Sequence, residues 1–462
     1  MCMMTKKLQK LENLNQSYQK ISIAIPLIII SLSCLLCLSY GLANKIYGQN
    51  QTIPGPLLTD SNLKVELVVN DFDFPTSIAF LGNDDILLLE KNTGNVFEII
   101  NGNVTGPLIH IHVAFKDERG LLGIAVSEKE ENTKDNSSVV FLYYTQCTKK
   151  GQPKSAQYCG NYVYRYILDT KNNTLIDPNL ILNVSALPGP SHNGGVLLMD
   201  KEKNVYVTIG DLQPTKFTQT SSFDTKAQNL INGTLPDGRA GILRFTQDGK
   251  PVGKGILGDK YPLNLYYAYG IKNSFGIGFD PLTGNLWDTE NGPQFGDEIN
   301  LVKPGFNSGW EKAQGIWKLD QTRKKDGILN STKEIELVNF NGKGKYSKPE
   351  FVWDKTVAPT ALIFLDSDKL GKQYKNDVFV GSAKNGSIYH FDLTDDRDSL
   401  DLRDDLADLV FSKNDDSSKI IFGENFGVIT DLEVGPDGYL YVVSGSRGTD
   451  EGAIYRIVPN LK

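Results

Sequence analysis

The sequence predicts an all-β fold, a six-bladed β-propeller. Two observations predict it. Short runs rich in Val, Ile, Tyr and Phe alternate with turn signals such as "KNTGN", "TQDGK", "PLTGN" and "GPDG", in a chain with 44 Gly, 20 Tyr and 21 Phe. One strand–turn–strand pair also recurs six times along the body. No copy can bury both faces of its own sheet, so the copies pack radially around a central channel, with long connections rising from one face. Two stacked β-sandwiches would supply the strands but not the sixfold recurrence.

Taken in order, residues 1–20 form a basic, cytoplasmic segment carrying Lys6, Lys7, Lys10 and Lys20. Residues 21–43, "ISIAIPLIIISLSCLLCLSYGLA", hold no charge and are long enough to cross a bilayer. The basic side stays inside, which predicts a single-pass protein of the cell membrane with its body outside. A transmembrane anchor and a cleaved secretory signal are both open, the second giving a secreted protein. Residues 44–62 are a polar linker, and the propeller runs over 63–462.

The repeated pairs are "ILLLE…NVFEI" (86–99), "VVFLYYTQ…NYVYRYIL" (139–168) and "NVYVTIGD…GRAGILRF" (204–245). "NLWDTENG…DEINLV" (285–302), "DVFVGSAKNGSIYHF" (377–391) and "YLYVVSGS…GAIYRI" (439–457) complete the set. The acidic stretch 392–413 departs from this pattern and reads as an exposed excursion between units. Cys147 and Cys159 flank a polar segment between two strands. Outside the cell they would form a disulfide closing that hairpin; two free thiols are the alternative. Sequons such as those at Asn103 and Asn330 permit glycosylation. The net charge is −7 and no basic block occurs, so nucleic acid is not an expected partner.

Three stretches carry candidate chemistry. In "SHNGG" (191–195), two glycines permit a tight turn, which would hold His192 at the start of a strand. A neutral imidazole there can take a proton from a hydroxyl, or can simply be a loop residue bonded to backbone. In "NGPQFGDE" (291–298), Gly292 and Pro293 can aim carbonyl oxygens at one point, and Asp297 and Glu298 supply charge. Ca²⁺ asks for such oxygens; a solvated acidic loop is the plain alternative. Lys272 and Asn273, just upstream, can grip an anion. In the third stretch, 427–457, Arg447 lies in a Gly- and Ser-rich loop and can reach a ligand, whereas Arg456 sits inside a strand as scaffold. Glu118 and Arg119 in "DERGLLG" suit either a ligand or a contact between units.

Residues 63–458 resemble the glucose/sorbosone dehydrogenase family of soluble quinoprotein aldose dehydrogenases. The resemblance is carried by "ERGLLG", "SHNGGVLLMD…NVYVTIGD", "YAYGIKNSFGIGFDPLTGNLWDTENGPQFGDEINLV", "VAPTALIF", "DVFVGSAKNGSIYHF" and "VGPDGYLYVVSG…GAIYRI", in that order. The resemblance implies a six-bladed propeller with pyrroloquinoline quinone (PQQ) and Ca²⁺ over the channel. It implies oxidation of an aldose or related polyol, with His192 as base and hydride passing to the quinone. It assigns the carbonyls of Gly292 and Pro293 to the cofactor calcium and Asp297 and Glu298 to a structural calcium region. Lys272, Asn273 and Lys384 become cofactor contacts, and Glu118 falls on the substrate side.

The departures are specific. Lys272 stands where the family has arginine, which keeps the charge but loses the two-pronged grip. Ser191 stands where an acid precedes the histidine. The family's paired arginines are absent, their segment reading Gly427, Val428 and Thr430. Lys272, Lys384 and Arg447 are left to meet the cofactor's carboxylates. A non-catalytic propeller that binds glycan or protein is therefore the second reading. No CxxCH segment attaches haem, so the electron acceptor is a separate partner. The sugar pocket would lie in the long loops 212–238 and 311–350.

Overall fold

The computed structural model describes residues 55–127, 138–148, 158–213, 224–446 and 451–461. These residues are all-β, with helix confined to three-residue 3₁₀ turns. Each of the six repeated pairs forms an antiparallel hairpin or ladder, from Asp85–Glu90 with Asn95–Ile100 to Leu440–Ser444 with Gly452–Pro459. The recurrence read from the sequence is therefore a recurrence of paired strands.

The expectation of a six-bladed propeller preceded by a membrane or signal helix is corrected. Among the described residues the strands form seven separate sheets of three to six strands, and no sheet closes on itself. The physical cause lies in the long connections, which contribute strands of their own. Phe306–Asn307 adds in parallel beside Tyr266–Tyr269, and Lys345–Tyr346 adds in parallel beside Phe306–Asn307. Val410–Phe411 adds in parallel beside Phe351–Trp353. Ala313–Gln314, Trp317–Leu319 and Lys325–Ile328 make a small sheet by themselves. The acidic stretch 392–413 is likewise not a bare excursion, since its Leu400 and Leu406 are buried in the core.

The membrane expectations are corrected as well. Among the described residues no helix is long and apolar enough to cross a membrane, so a membrane partner and a single-pass location at the cell surface are not supported. Residues 21–43, on which both rested, lie outside the described residues. Leu57–Leu58, within the expected linker, form a strand against Ile421–Glu424.

The core lies between sheets. Phe141, Tyr143 and Val163 of one sheet pack with Val207, Leu243 and Tyr266 of the next. Trp287, Ile299 and Phe351 pack likewise with Leu362, Val378 and Tyr389. Burial at these seams, not within any one sheet, supplies the hydrophobic stabilisation. Contacts between sheets run through their first strands. Pro75–Gly82 packs on Leu121–Ser127, which packs on Leu197–Met199. Ser274–Phe279 packs on Pro359–Phe364, then Ile429–Val434, which returns to Pro75–Gly82. The strand Leu63–Phe72 completes the sheet of Gly452–Pro459.

Candidate functional site

His192 owes its position to backbone that side chains rarely tolerate. Its own φ is 60°, and Gly194 and Gly195 follow at 60° and 114°. A Cβ on Gly194 would lie 2.5 Å from the Thr208 carbonyl oxygen, and one on Gly195 would lie 2.7 Å from the Leu122 Cβ. The SHNGG turn is thus pressed against two strands, and glycine is required at both positions. The buried Tyr143 hydroxyl donates to the Asn193 carbonyl at 2.8 Å and fixes the turn from below.

His192 is no simple loop histidine. Its Nδ1 lies 2.6 Å from Oδ1 of Asp211, a fully buried carboxylate. The Trp310 indole N–H donates to the other oxygen, Oδ2, at 2.8 Å. Burial pushes the Asp211 carboxyl up, but the His192 ring beside it, Lys272 and Arg323 outweigh burial and hold it below the usual carboxylate range. An ionised Asp211 can only accept, so Nδ1 carries a proton, and in the neutral imidazole the lone pair then belongs to Nε2. The Lys272 ammonium faces that lone pair at 3.2 Å and lies 5.8 Å from the centre of the Trp310 ring. Burial pushes the Lys272 amine down, opposed by Asp211, Glu118, Glu290 and Asp297.

Glu118 ties the predicted residues together. Its Oε2 accepts from the His192 backbone N–H at 2.5 Å and from the Asn273 side-chain amide at 3.1 Å. Glu118 also lines a cavity of about 310 Å³ between the first strands of the sheets, with Phe74, Phe275, Asn291, Val428 and Thr430. The Asn273 side-chain oxygen is buried and has no partner. Lys91 reaches the same cavity, and burial pushes its amine down against the pull of Asp73, Glu118 and Asp117. A larger cavity of about 920 Å³, lined by Phe80, Asp200, Tyr267, Asp280 and Glu433, contains none of the predicted residues.

The acidic loop separates into two environments. Asp297 and Glu298 are consecutive strand residues, so their side chains leave on opposite faces. Asp297 accepts the Gly292 N–H at 2.8 Å and the N–H groups of Val357 and Ala358 at 2.7 and 2.8 Å. It therefore holds the Gly292–Pro293 turn against the segment that leads to Lys384. Burial pushes its carboxyl up despite those three donors. Glu298 instead joins Glu290 and Asp288 on the neighbouring strand, where Glu290 pairs directly with it. Burial pushes Glu298 up to about 8 and Asp288 to about 7, and burial with the adjoining Glu298 and Asp288 also pushes Glu290 well up.

Lys384 is exposed and donates to the Thr356 hydroxyl at 3.0 Å, at the rim near Ala383. Arg447 lies outside the described residues. Where the family carries paired arginines, Val428 and Thr430 line the cavity, and Thr430 donates to the Pro75 carbonyl at 2.9 Å. Arg119 turns away from the cavity to the Ala186 carbonyl, and Arg456 bridges Glu66 and Asp437 within its sheet. Cys147 and Cys159 are disulfide-bonded across paired positions of neighbouring strands.

Sequence reasoning missed Asp211, Trp310, Glu290 and Lys91. Asp211 had a signal, an acid placed directly after the fully buried strand Val205–Ile209. Glu290 had one too, since "LWDTE" sets acids at alternate positions of a buried strand. Trp310 had none, because its role depends on a chain reversal far along the sequence.

The family model described as "Glucose / Sorbosone dehydrogenase" matches residues 72–456. The chain is 24% identical over 408 residues to the aldose sugar dehydrogenase YliI of Escherichia coli (strain K12), covering 86% of this chain and 94% of that one. It is 24% identical over 458 residues to quinoprotein glucose dehydrogenase B of Acinetobacter calcoaceticus, covering 86% of this chain and 89% of that one. Among solved structures, the PQQ-bound form of aldose sugar dehydrogenase from Streptomyces coelicolor superposes with a TM-score of 0.58 at 19% identity, over 86% of this chain and 99% of that one. That structural likeness shows a shared fold, and the family match covers nearly all of the described body. The chain belongs to the Glucose / Sorbosone dehydrogenase family of oxidoreductases.

Proposed function

We propose that the chain oxidises the hydroxyl of an aldose sugar or related polyol, with PQQ and Ca²⁺ as cofactors and His192 as the base. The observation that carries this reading is the pair of Asp211 and His192, which sets Nε2 as the proton acceptor on a turn whose Gly194 lines the cavity, as does Glu118, the acceptor of the His192 backbone N–H. The residues fit the cofactor at its reacting end. Phe275 and Phe74 of the cavity lining offer an apolar slot, and the unpartnered Asn273 oxygen and the Lys272 amine, linked to it through Glu118 and His192, offer a polar edge. The Gly292 and Pro293 carbonyls would hold the cofactor calcium, with Asp297 fixing their turn. Glu298, with Glu290 and Asp288 beside it, offers the charge for a structural calcium. Lys384, Lys272 and Arg447 would face the carboxylates.

When bound, the quinone supplies a two-electron hydride acceptor whose carbonyls Ca²⁺ polarises. The chain's own part is positional and electrostatic. Asp211 fixes the imidazole tautomer and steadies the imidazolium once Nε2 has taken the hydroxyl proton. Lys272 must yield Nε2 to the substrate hydroxyl. Glu118 holds the His192 backbone and offers its carboxylate to other sugar hydroxyls. Electrons then pass to a separate acceptor.

The uncharged wall of Val428 and Thr430 favours a second reading, a domain on the same fold that binds glycan or protein without turnover. One experiment separates the two. The full chain is loaded with PQQ and Ca²⁺, freed of excess, and scanned for absorption before and after a panel of aldoses without acceptor. A retained quinone band that converts to the reduced form on sugar supports the dehydrogenase. In that case His192→Ala keeps the band but stops the conversion. Folded protein that retains no quinone supports the binding domain.

A further inference from the structure

We propose a second metal site, distant in sequence from the loops discussed above, in which Asp377, His390 and Asp392 bind a divalent transition ion such as Zn²⁺. The three side chains converge at the hairpin of Val378–Ser382 and Ile388–Phe391. His390 Nε2 lies 3.0 Å from Asp377 Oδ2 and 3.6 Å from Asp392 Oδ1, and all three ligand atoms fall within 4.8 Å of one another. Zinc bonds of about 2.0–2.1 Å at tetrahedral angles place ligand atoms about 3.3–3.4 Å apart, and the observed separations bracket that spacing.

Three further features point to an ion. The Asp377 and Asp392 carboxylates bring ligand oxygens within 4.8 Å of each other, and a cation between two like charges that close relieves their repulsion. The nearby Asp401 adds a third negative charge, and its own cationic partner, Arg403, is bound to it. The His390 ring is also held in place before any ion arrives. Tyr374 packs edge-on at 5.2 Å, and Phe379 lies tilted at 4.9 Å between ring centres. Fixing the ring costs no side-chain entropy on binding, and it presents Nε2 to the carboxylates. Asp377 and His390 are largely buried, whereas Asp392 is 61% exposed, which leaves a path for the ion and a position for water. One imidazole with two carboxylates suits Zn²⁺, Co²⁺ or Ni²⁺ better than the all-oxygen Ca²⁺.

The position assigns the ion a structural task. Asp392 is the first residue of the segment that leaves Ile388–Phe391, adds Val410–Phe411 to a neighbouring sheet, and returns as Ile421–Glu424. An ion at its root pins this bridge between two sheets.

The test uses the full chain, stripped with chelator, resupplied with Ca²⁺ so that oxygen sites are filled, and titrated with Zn²⁺. The wild type takes up one more equivalent than His390→Gln or Asp392→Asn, or binds it about tenfold or more tightly. Zn²⁺ raises the wild-type melting temperature and leaves those of the variants unmoved. Co²⁺ in its place gives a visible d–d absorption that Asp392→Asn abolishes. Asp392 is exposed, so that variant folds even where His390→Gln does not. Equal zinc uptake by wild type and Asp392→Asn, or none by either, overturns the site and leaves His390 as a plain hydrogen-bond partner of Asp377.

Discussion

At the scale of single residues, the proposed function rests on which atom of His192 is free. Asp211→Asn keeps the shape of the buried triad but replaces an obligate acceptor with an amide that can donate to Nδ1. The proton then moves to Nε2, the wrong nitrogen for a base. Sugar-dependent reduction of loaded protein should fall by about 10²-fold or more, with cofactor retention unchanged. A second residue-scale prediction concerns Asp431. Burial pushes its carboxyl up to about 7, although Ile78 N–H and Ser77 Oγ donate to it at 2.9 Å. In the unfolded chain it titrates near ~3.9. Between those values the folded state holds a proton the unfolded state has lost, so stability falls as pH rises and levels off above the folded value. Melting temperature should therefore drop from about pH 5 to about pH 8. Asp431→Asn, which keeps an acceptor for Ser77 and Ile78, should make that slope shallower by its share, leaving the part that Asp288 and Glu298 contribute. His192, Asn273, Glu118 and Lys272 were legible in the sequence because they cluster in short Gly-rich stretches. Asp211 and Trp310 were not, because their meaning lies in a contact 99 residues apart.

At the scale of elements, the sequence displays strands well and their company badly. Alternating apolar residues and turn glycines mark both members of every repeated pair, since pairing across a hairpin is local. Two-residue strands such as Phe306–Asn307 and Val410–Phe411 carry no periodicity to read. They exist because a neighbouring sheet edge offers unpaired backbone groups. Those additions are what depart from six equal units. The hairpin of Val139–Thr148 and Tyr158–Asp169 carries its own constraint, the Cys147–Cys159 bond between facing residues. Cutting it by Cys147→Ser with Cys159→Ser should cost about 3 kcal/mol, from the loop-closure entropy returned to the unfolded chain. Denaturant midpoints with an unchanged slope would show that cost as pure stability.

At the scale of the whole molecule, stabilisation sits in seams between sheets, so no sheet is expected to stand without its neighbours. The strand Leu63–Phe72 is the sharpest case, because its register partners run from Pro459 back to Gly452. Removing residues 1–72 leaves the strand Gly452–Pro459 with a bare edge and exposes Leu63's neighbours Phe422 and Ile457. Such a chain should lose its cooperative melt, whereas one lacking residues 1–54 should keep it. The sequence showed the last strand pair clearly, but the partner strand reads as a separate beginning nearly the full chain length away.

That closure has a consequence for how the protein is made. Asn460 N–H donates to the Asn62 carbonyl at 2.6 Å, and Arg456 bonds Glu66 across 390 positions. The strand Leu63–Phe72 waits, unpaired, until a partner about 390 positions later is synthesised. Through that interval it is an exposed edge able to pair with any passing strand. Its polar residues Lys64, Glu66, Asn70 and Asp71 blunt that edge, so the nascent chain carries its own guard against premature partners.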